Sequence, residues 1–167
     1  VDDAHSLGVL GENGSGTSNY FGVTNQTDLI MGTFSKSFGS LGGFIAGDHT
    51  IINYLKHNAR SLIFSASMTP ASVAAASTAL DIMISEPQRR EHLWEITKYA
   101  QNAFKANGFD IGHTQTPIIP LFVRDSIKAM KIVKRAYEKG IFITPVVSPA
   151  VPEKDVLIRF ALMATHK

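Results

Sequence analysis

The chain has 167 residues, of which 44% are hydrophobic and 18% are charged, and its formal net charge is +2. This composition is typical of a folded globular protein, and it argues against a disordered chain and against a nucleic-acid-binding surface. There is no cysteine, which excludes disulfide bonds and thiolate metal sites, and we assign no metal site.

The first half of the chain is rich in glycine and predicts short strands with helices between them. Two apolar runs, at 28–34 and 42–47, predict buried strands because glycines and small polar residues bound them. A helix is predicted at about 48–57 and a short strand at about 61–67. Thr69 and Pro70 then form an N-cap and first-turn pair that predicts an alanine-rich helix running to about Ser85.

The composition changes near Glu86, and a second pattern follows. A helix is predicted to reach about Asn107 and to end at Gly108, with six residues on its apolar face: Leu93, Ile96, Tyr99, Ala100, Ala103 and Phe104. After it come predicted strands at 116–123, 141–147 and 156–164, and a helix from Ser126 to Lys139 that Gly140 closes. These elements form a βαββ module, so we expect two domains, 1–86 and 87–167.

Hydropathy and the two ends of the chain bear on its location in the cell and on whether it is part of a longer protein. No apolar run approaches the ~20 residues of a membrane-spanning helix, and no signal-peptide pattern is present. We therefore expect no transmembrane segment and a cytoplasmic location. The chain begins without methionine and stops directly after an apolar run, so we also expect a fragment of a longer protein.

Lys36 is the first candidate for chemistry, because it lies among hydroxyls and glycines just after the predicted strand at 28–34. A lysine becomes a nucleophile or forms a Schiff base when its surroundings favour the neutral amine. Adjacent hydroxyls and glycines, which let backbone amides approach, can bind a phosphate. The alternative is a lysine on an ordinary exposed loop.

Asp2 and His5, three residues apart near the start of the chain, are the second candidate. A carboxylate there can hold a proton on a ring nitrogen, and an imidazole can bind a phenolic oxygen. Alternatively, Asp2 or Asp3 caps the loop and His5 is a turn residue. A nucleotide-binding P-loop around Lys36 is disfavoured, because Ser35 stands where that motif requires glycine and the acidic segment precedes the lysine.

Asp2, His5, Thr33 and Lys36 together closely resemble the α-oxoamine synthase family of pyridoxal-phosphate (PLP) enzymes, which belongs to the fold-type I aspartate-aminotransferase superfamily. Four segments carry the resemblance in the family's order: 1–17, 28–47, 61–70 and 148–166. The resemblance implies an α/β fold, that of a fold-type I PLP-dependent transferase. The chain would hold the C-terminal half of the PLP-binding large mixed-sheet domain at 1–86 and the small C-terminal α/β domain at 87–167.

The resemblance implies that three residues are catalytic and bind the cofactor. Lys36 would hold pyridoxal 5'-phosphate as a Schiff base and later move protons at the substrate Cα. Asp2 would pair with the protonated pyridine nitrogen and keep the ring an electron sink. His5 would donate a hydrogen bond to the ring oxygen of the cofactor.

The remaining implied contacts are to phosphate and to substrate. Thr33 and Ser35 would contact the cofactor phosphate. Ser65 and the backbone of Ala66 would reach the phosphate of the neighbouring subunit's cofactor, since the family's sites lie at a homodimer interface. Arg159 would bind the amino-acid carboxylate through its guanidinium fork, unless it is a surface arginine on an edge strand.

The family condenses an amino acid with an acyl-CoA to give an amino ketone, with decarboxylation when the amino acid is serine or alanine. Three features resemble most the bacterial serine palmitoyltransferase branch of sphingolipid synthesis: Ala150 in the turn at 148–152, the segment 34–43 and the last strand. 8-Amino-7-oxononanoate synthase is the second expectation and glycine C-acetyltransferase the third.

A non-catalytic partner subunit is the alternative to an enzyme, and Lys36 argues against it because the family's regulatory subunits lack the lysine. The chain also lacks the family's glycine-rich phosphate cup and the ring that stacks on the cofactor. We therefore expect it to be inactive, or nearly so, by itself.

Overall fold

The computed structural model describes all 167 residues, which form two compact units, Val1–Arg90 and Glu91–Lys167. Its helices and strands follow one another as α1 (Thr17–Tyr20), β1 (Leu29–Thr33), β2 (Gly43–Gly47), α2 (His49–Asn58), α3 (Arg60–Ile63), α4 (Pro70–Ser85), α5 (Gln88–Ala106), β3 (Ile118–Phe122), α6 (Ser126–Glu138), β4 (Thr144–Val146) and β5 (Leu157–Ala161). None of the helices is both long enough and apolar enough to cross a bilayer.

The first unit is built around β1. β2 pairs with it antiparallel, from Leu29 opposite Gly47 to Thr33 opposite Gly43. On the other edge of β1 the start of the chain runs parallel, with the amide of Met31 donating to the carbonyl of Val1 at 2.9 Å. β1 is therefore the central member of a three-segment arrangement whose outer partners run in opposite directions.

The strands of this unit are less buried than the apolar runs predicted. Met31 is 37% exposed and Ile45 is 52% exposed. The prediction of buried strands was wrong within this chain because only two full strands pair and nothing in the unit covers the outer face of β2. An apolar run indicates a strand that can be buried, but the covering layer has to come from elsewhere.

The capped helices form where the sequence predicted them. Thr69 accepts the Ser72 amide at 3.2 Å and Pro70 opens α4, which ends at Ser85. The strand predicted at 61–67 is wrong: α3 and an exposed turn occupy this stretch. Local bonds, such as that from the Phe64 amide to the Arg60 carbonyl at 3.0 Å, satisfy the backbone there because no neighbouring strand pairs with it.

The second unit is a βαββ module after α5, as predicted, with a three-stranded antiparallel sheet in the order β3-β5-β4. Its buried residues come from both helices, the sheet and the connecting segments: Leu93, Thr97, Ile111, Ile119, Ala129, Val156 and Ile158. The prediction that Tyr99 lies on the apolar face of α5 was wrong, since it is 76% exposed. Thr97 is buried instead, and its hydroxyl donates to the Leu93 carbonyl at 2.6 Å, which satisfies its polar group.

Two prolines lie at the middle of the outer strands of this sheet. Pro120 of β3 faces Arg159 and Pro145 of β4 faces Ile158. The Val123 amide donates to the Val156 carbonyl at 2.9 Å, so these two residues form a hydrogen-bonded pair. Because hydrogen-bonded and non-hydrogen-bonded pairs alternate along an antiparallel ladder, Pro120, three residues away, belongs to a non-hydrogen-bonded pair. The nitrogens of both prolines therefore point away from β5, where a missing N–H costs the ladder nothing.

Candidate active site

The segment 34–42 connects β1 to β2 and carries Lys36 on an exposed turn. The Phe34 amide donates to the Gly42 carbonyl at 2.9 Å, and the Gly39 amide donates to the Lys36 carbonyl at 3.0 Å. These bonds hold the backbone of the turn, whereas the Lys36 side chain is exposed and makes no ion pair or hydrogen bond within the chain. A P-loop leads from a strand into a helix, whereas this loop leads into an antiparallel strand.

Two hydroxyls lie beside the lysine. Thr33 Oγ1 and Ser35 Oγ are 2.8 Å apart, and the Ser35 amide donates to Thr33 Oγ1 at 3.2 Å. Thr33 Oγ1 also donates to the Gly42 carbonyl at 3.2 Å. A hydroxyl that rotates away from these internal acceptors can donate to an incoming anion, so with Lys36 next in the chain this segment is suited to a phosphate group.

The lysine loop is anchored at three points. Ser37 Oγ donates to the Leu7 carbonyl at 2.7 Å, and Ser40 Oγ donates to the Ser72 carbonyl in the first turn of α4 at 2.8 Å. Gly42 has φ +92°, and a Cβ there would lie 2.5 Å from Met68 Sδ. The loop is thereby fixed to the segment after Asp2 on one side and to the residues before α4 on the other.

Asp2 lies at the edge of the first unit where β1 ends and the lysine loop begins. It forms a parallel bridge with Met31 of β1, so its segment and β1 both run toward this edge. Its exposed carboxylate accepts only the Ala4 amide, at 2.8 Å. His5 is exposed in the turn that follows. The structure thus brings five of the sequence-predicted residues to one edge of the first unit: Asp2, His5, Thr33, Ser35 and Lys36.

Asp3 lies next to the predicted site residue Asp2, and the sequence favoured it only as a possible loop cap. It is 0% exposed, and its Oδ1 accepts the Ser6 hydroxyl and, at 2.8 Å, the Thr17 amide. Burial alone would raise the pKa of this carboxyl, but the hydrogen bonds from Ser6 and Thr17 outweigh burial and hold the pKa below its usual value. The only sequence signal was the pair of acidic residues, because burial here requires the chain to fold back at Thr17.

The segment that contains Ser65 and Ala66 is exposed and lies between α3 and α4. Ser65 Oγ donates to the Ser61 carbonyl at 2.5 Å, so its proton is engaged within the chain. Met68, which contacts the Gly42 position, holds this segment beside the lysine loop. The described contacts give Ser65 and Ala66 no partner at the edge where Asp2 and Lys36 lie.

Arg159 belongs to the second unit and is described there alone. It lies on the central strand β5, between Pro120 and Thr144, and not on an edge strand. Its side chain is exposed and makes no ion pair or hydrogen bond within the chain. A guanidinium held on a regular strand without a counterion is suited to a planar carboxylate.

Comparison with known proteins gives one consistent result. The family of class I and II aminotransferases matches residues 1–167. Serine palmitoyltransferase of Sphingobacterium spiritivorum is 60% identical over 99% of this chain and 42% of its own length. The 8-amino-7-oxononanoate synthase of Petrotoga mobilis is 45% identical over the same shares of 99% and 42%.

A solved structure supports the same relationship. A serine palmitoyltransferase with a PLP internal aldimine matches 100% of this chain and 42% of that chain, with a TM-score of 0.94 at 32% identity. The chain therefore spans less than half the length of these relatives. The resemblance and the fold class inferred from the sequence are both confirmed: the chain belongs to the family of class I and II aminotransferases, and its relatives are those of the α-oxoamine synthase group.

Proposed function

We propose that this chain is part of a PLP-dependent acyltransferase that condenses an amino acid with an acyl-CoA. With serine as the amino acid, the reaction joins the acyl carbon to the amino-acid Cα and releases coenzyme A and carbon dioxide. The observation that carries the proposal is the edge of the first unit, where Lys36, with its side chain unpaired, follows the bonded hydroxyls of Thr33 and Ser35 in one loop and shares that edge with Asp2. The 60% identity to a serine palmitoyltransferase supports this substrate class.

The residues at this edge fit pyridoxal phosphate. Lys36 has a free amine for the aldehyde carbon, Thr33 and Ser35 offer donors to the phosphate, and Asp2 offers a carboxylate to the pyridine nitrogen. His5 would donate to the ring oxygen. When bound, the cofactor supplies an electron sink for negative charge at the substrate Cα. Asp2 would maintain that sink by keeping a proton on the ring nitrogen, and Lys36 Nζ would move a proton at the substrate Cα.

The other predicted residues complete the proposal. Arg159 would bind the amino-acid carboxylate with two parallel N–H bonds and so orient the substrate. Ser65 and the Ala66 amide would contact the cofactor phosphate of a second subunit in a homodimer. We further propose that 1–86 belongs to the cofactor-binding domain and 87–167 to the small domain. The enzyme would work in the cytoplasm.

The test is covalent trapping on the full-length enzyme that contains this chain. Purified with PLP, the wild type should show a visible absorbance band, and borohydride should convert the band into a stable adduct on the peptide that contains Lys36. Lys36→Ala should remove both, whereas Lys56→Ala, an exposed lysine of α2, should retain them. No band in the wild type, or an adduct on another lysine, would contradict the proposal.

8-Amino-7-oxononanoate synthase is the second candidate, because the Petrotoga mobilis relative is 45% identical over the same region. The two candidates differ in the amino acid, serine or alanine. Titrating the wild-type band with each amino acid separates them, since the true substrate should shift the band at the lower concentration. Preference for serine supports the first candidate, and preference for alanine supports the second.

A further inference from the structure

Asp3 holds together three parts of the first unit. Its amide donates to the Met31 carbonyl of β1 at 2.8 Å, and its carbonyl accepts the amides of Ser6 and Leu7 at 3.1 and 3.0 Å. Its side chain accepts the Ser6 hydroxyl and the Thr17 amide. One residue therefore connects the central strand, the turn that contains His5 and the start of α1.

The pocket around the Asp3 carboxylate has no spare room. A Cβ on Gly16 would lie 2.3 Å from Oδ2 and 2.7 Å from the carboxyl carbon, and Gly16 has φ +99°. Oδ2 is buried and has no hydrogen-bond partner. The carboxylate is therefore held through one oxygen only, by Ser6 and Thr17, in a space that Gly16 leaves for it. An apolar residue of the same size could not accept these two hydrogen bonds.

The two neighbours of Asp3 are the residues that the proposed function assigns to the cofactor ring. Asp2 precedes it directly, and His5 lies inside the turn that the Asp3 carbonyl and carboxylate close. Both neighbours are exposed, and the only side-chain contact found for Asp2 is the Ala4 amide. The backbone that carries both side chains is fixed at Asp3.

We propose that Asp3 is a positioning residue, which fixes the direction of Asp2 and His5 toward the ring of the bound cofactor through the buried bonds to Ser6 and Thr17. The inference rests on the proposed function. It assigns Asp3 no contact with cofactor or substrate. It predicts that weakening this buried cluster changes the orientation of the cofactor and not only the stability of the protein.

The experiment compares the full-length wild type with Asp3→Asn, Ser6→Ala and Gly16→Ala, each saturated with PLP. Absorbance gives the amount of bound cofactor, and visible circular dichroism per bound cofactor reports its orientation in the site. Asp3→Asn is nearly isosteric, and Ser6→Ala removes one hydrogen bond while Asp3 keeps its charge. Two controls accompany them: Asp28→Asn, an exposed carboxylate before β1, and Ala76→Gly, which destabilises α4 at its buried residue.

We expect Asp3→Asn and Ser6→Ala to lower the visible dichroism per bound cofactor and to weaken PLP affinity about tenfold, as expected for the loss of one buried charge-assisted hydrogen bond. Both controls should keep the wild-type dichroism, although Ala76→Gly melts at a lower temperature. If the cluster variants lose thermal stability but keep the wild-type dichroism and affinity, the inference is wrong. Should Asp3→Asn fail to fold, Ser6→Ala decides by the same criterion. A wild type without any visible band would instead overturn the proposed function, and this inference with it.

Discussion

Lys36 and Arg159 differ from Asp3 in their electrostatic surroundings. Lys36 and Arg159 are exposed cations without a counterion, whereas Asp3 is a buried anion that accepts two hydrogen bonds. A surface cation usually costs little free energy wherever it lies, so exposure alone does not mark a residue as functional. What distinguishes these two is their support: a loop anchored at three points holds Lys36, and the central strand of a sheet holds Arg159.

Replacing Arg159 by lysine keeps the positive charge and removes the planar fork. Because a lysine cannot make two parallel bonds to one carboxylate, we expect the KM for the amino acid to rise about tenfold or more, with a smaller change in kcat. Steady-state kinetics of the full-length enzyme at saturating acyl-CoA measure both constants. Arg135→Lys, an exposed position in the last turn of α6, is the matched control. An unchanged KM in Arg159→Lys would mean that another group binds the carboxylate.

Three helices of this chain, α2, α4 and α6, begin at residues whose side chains cap them. Asp48 accepts the Thr50 amide at the start of α2, Thr69 accepts the Ser72 amide at the start of α4, and Asp125 accepts the Lys128 amide at the start of α6. Such caps satisfy amides that have no partner within the helix. At α4 the cap also matters for the site, because the Ser72 carbonyl holds the lysine loop through Ser40.

Thr69→Ala removes the cap of α4 and should cost about 1 kcal/mol of unfolding free energy, whereas Thr69→Ser should cost a few tenths at most. Urea denaturation measures the cost. Hydrogen exchange adds a local test, since the Ser72 amide should exchange faster in the alanine variant only. Equal exchange in both variants would show that the cap hydrogen bond does not protect this turn.

The elements also show what the sequence could and could not predict. α4 was predicted to the residue because Thr69 and Pro70 are local signals, and Gly108 and Gly140 marked the ends of α5 and α6 for the same reason. The strand at 61–67 was wrong, and β4 is shorter than predicted, because a strand exists only where a partner strand reaches it. The site also divides into local and distant signals. Lys36 could be predicted because it lies within one short motif, whereas the burial of Asp3 could not, because it depends on a contact with Thr17, fourteen residues away.

At the scale of the whole molecule, the two units share one response to acid. The pKa of Asp3 is lowered by its hydrogen bonds against the effect of burial, and the pKa of Asp110 is lowered by the Arg124 side chain and the Gly112 amide. Arg124 Nη2 lies 2.5 Å from Asp110 Oδ2. Each unit thus contains a carboxylate that binds its proton less readily when folded than when unfolded.

The sign of the pH dependence follows directly. Above the unfolded pKa of 3.8 the stabilising contribution of these carboxylates is complete, and it is lost as the pH falls through the lower folded pKa. We expect the unfolding free energy to fall between about pH 5 and about pH 2, and Asp3→Asn to flatten that fall. Urea denaturation across this range measures the slope. The same slope in wild type and variant would show that Asp3 does not contribute to it.

The outward-facing nitrogens of Pro120 and Pro145 have a consequence for self-association. An exposed strand edge is a template on which the strand of another molecule can add, and this is how sheets grow into aggregates. At the middle of both outer strands of the second unit, the donor that an incoming strand would need is replaced by a ring carbon. Both outer strands of the sheet that contains Arg159 thus lack a donor at their centre, and on β3 the chain itself occupies part of the edge, since the Phe122 amide donates to the Asp110 carbonyl at 3.0 Å. The outer edge of β2 exposes Ile45 and contains no proline, so it carries no such block.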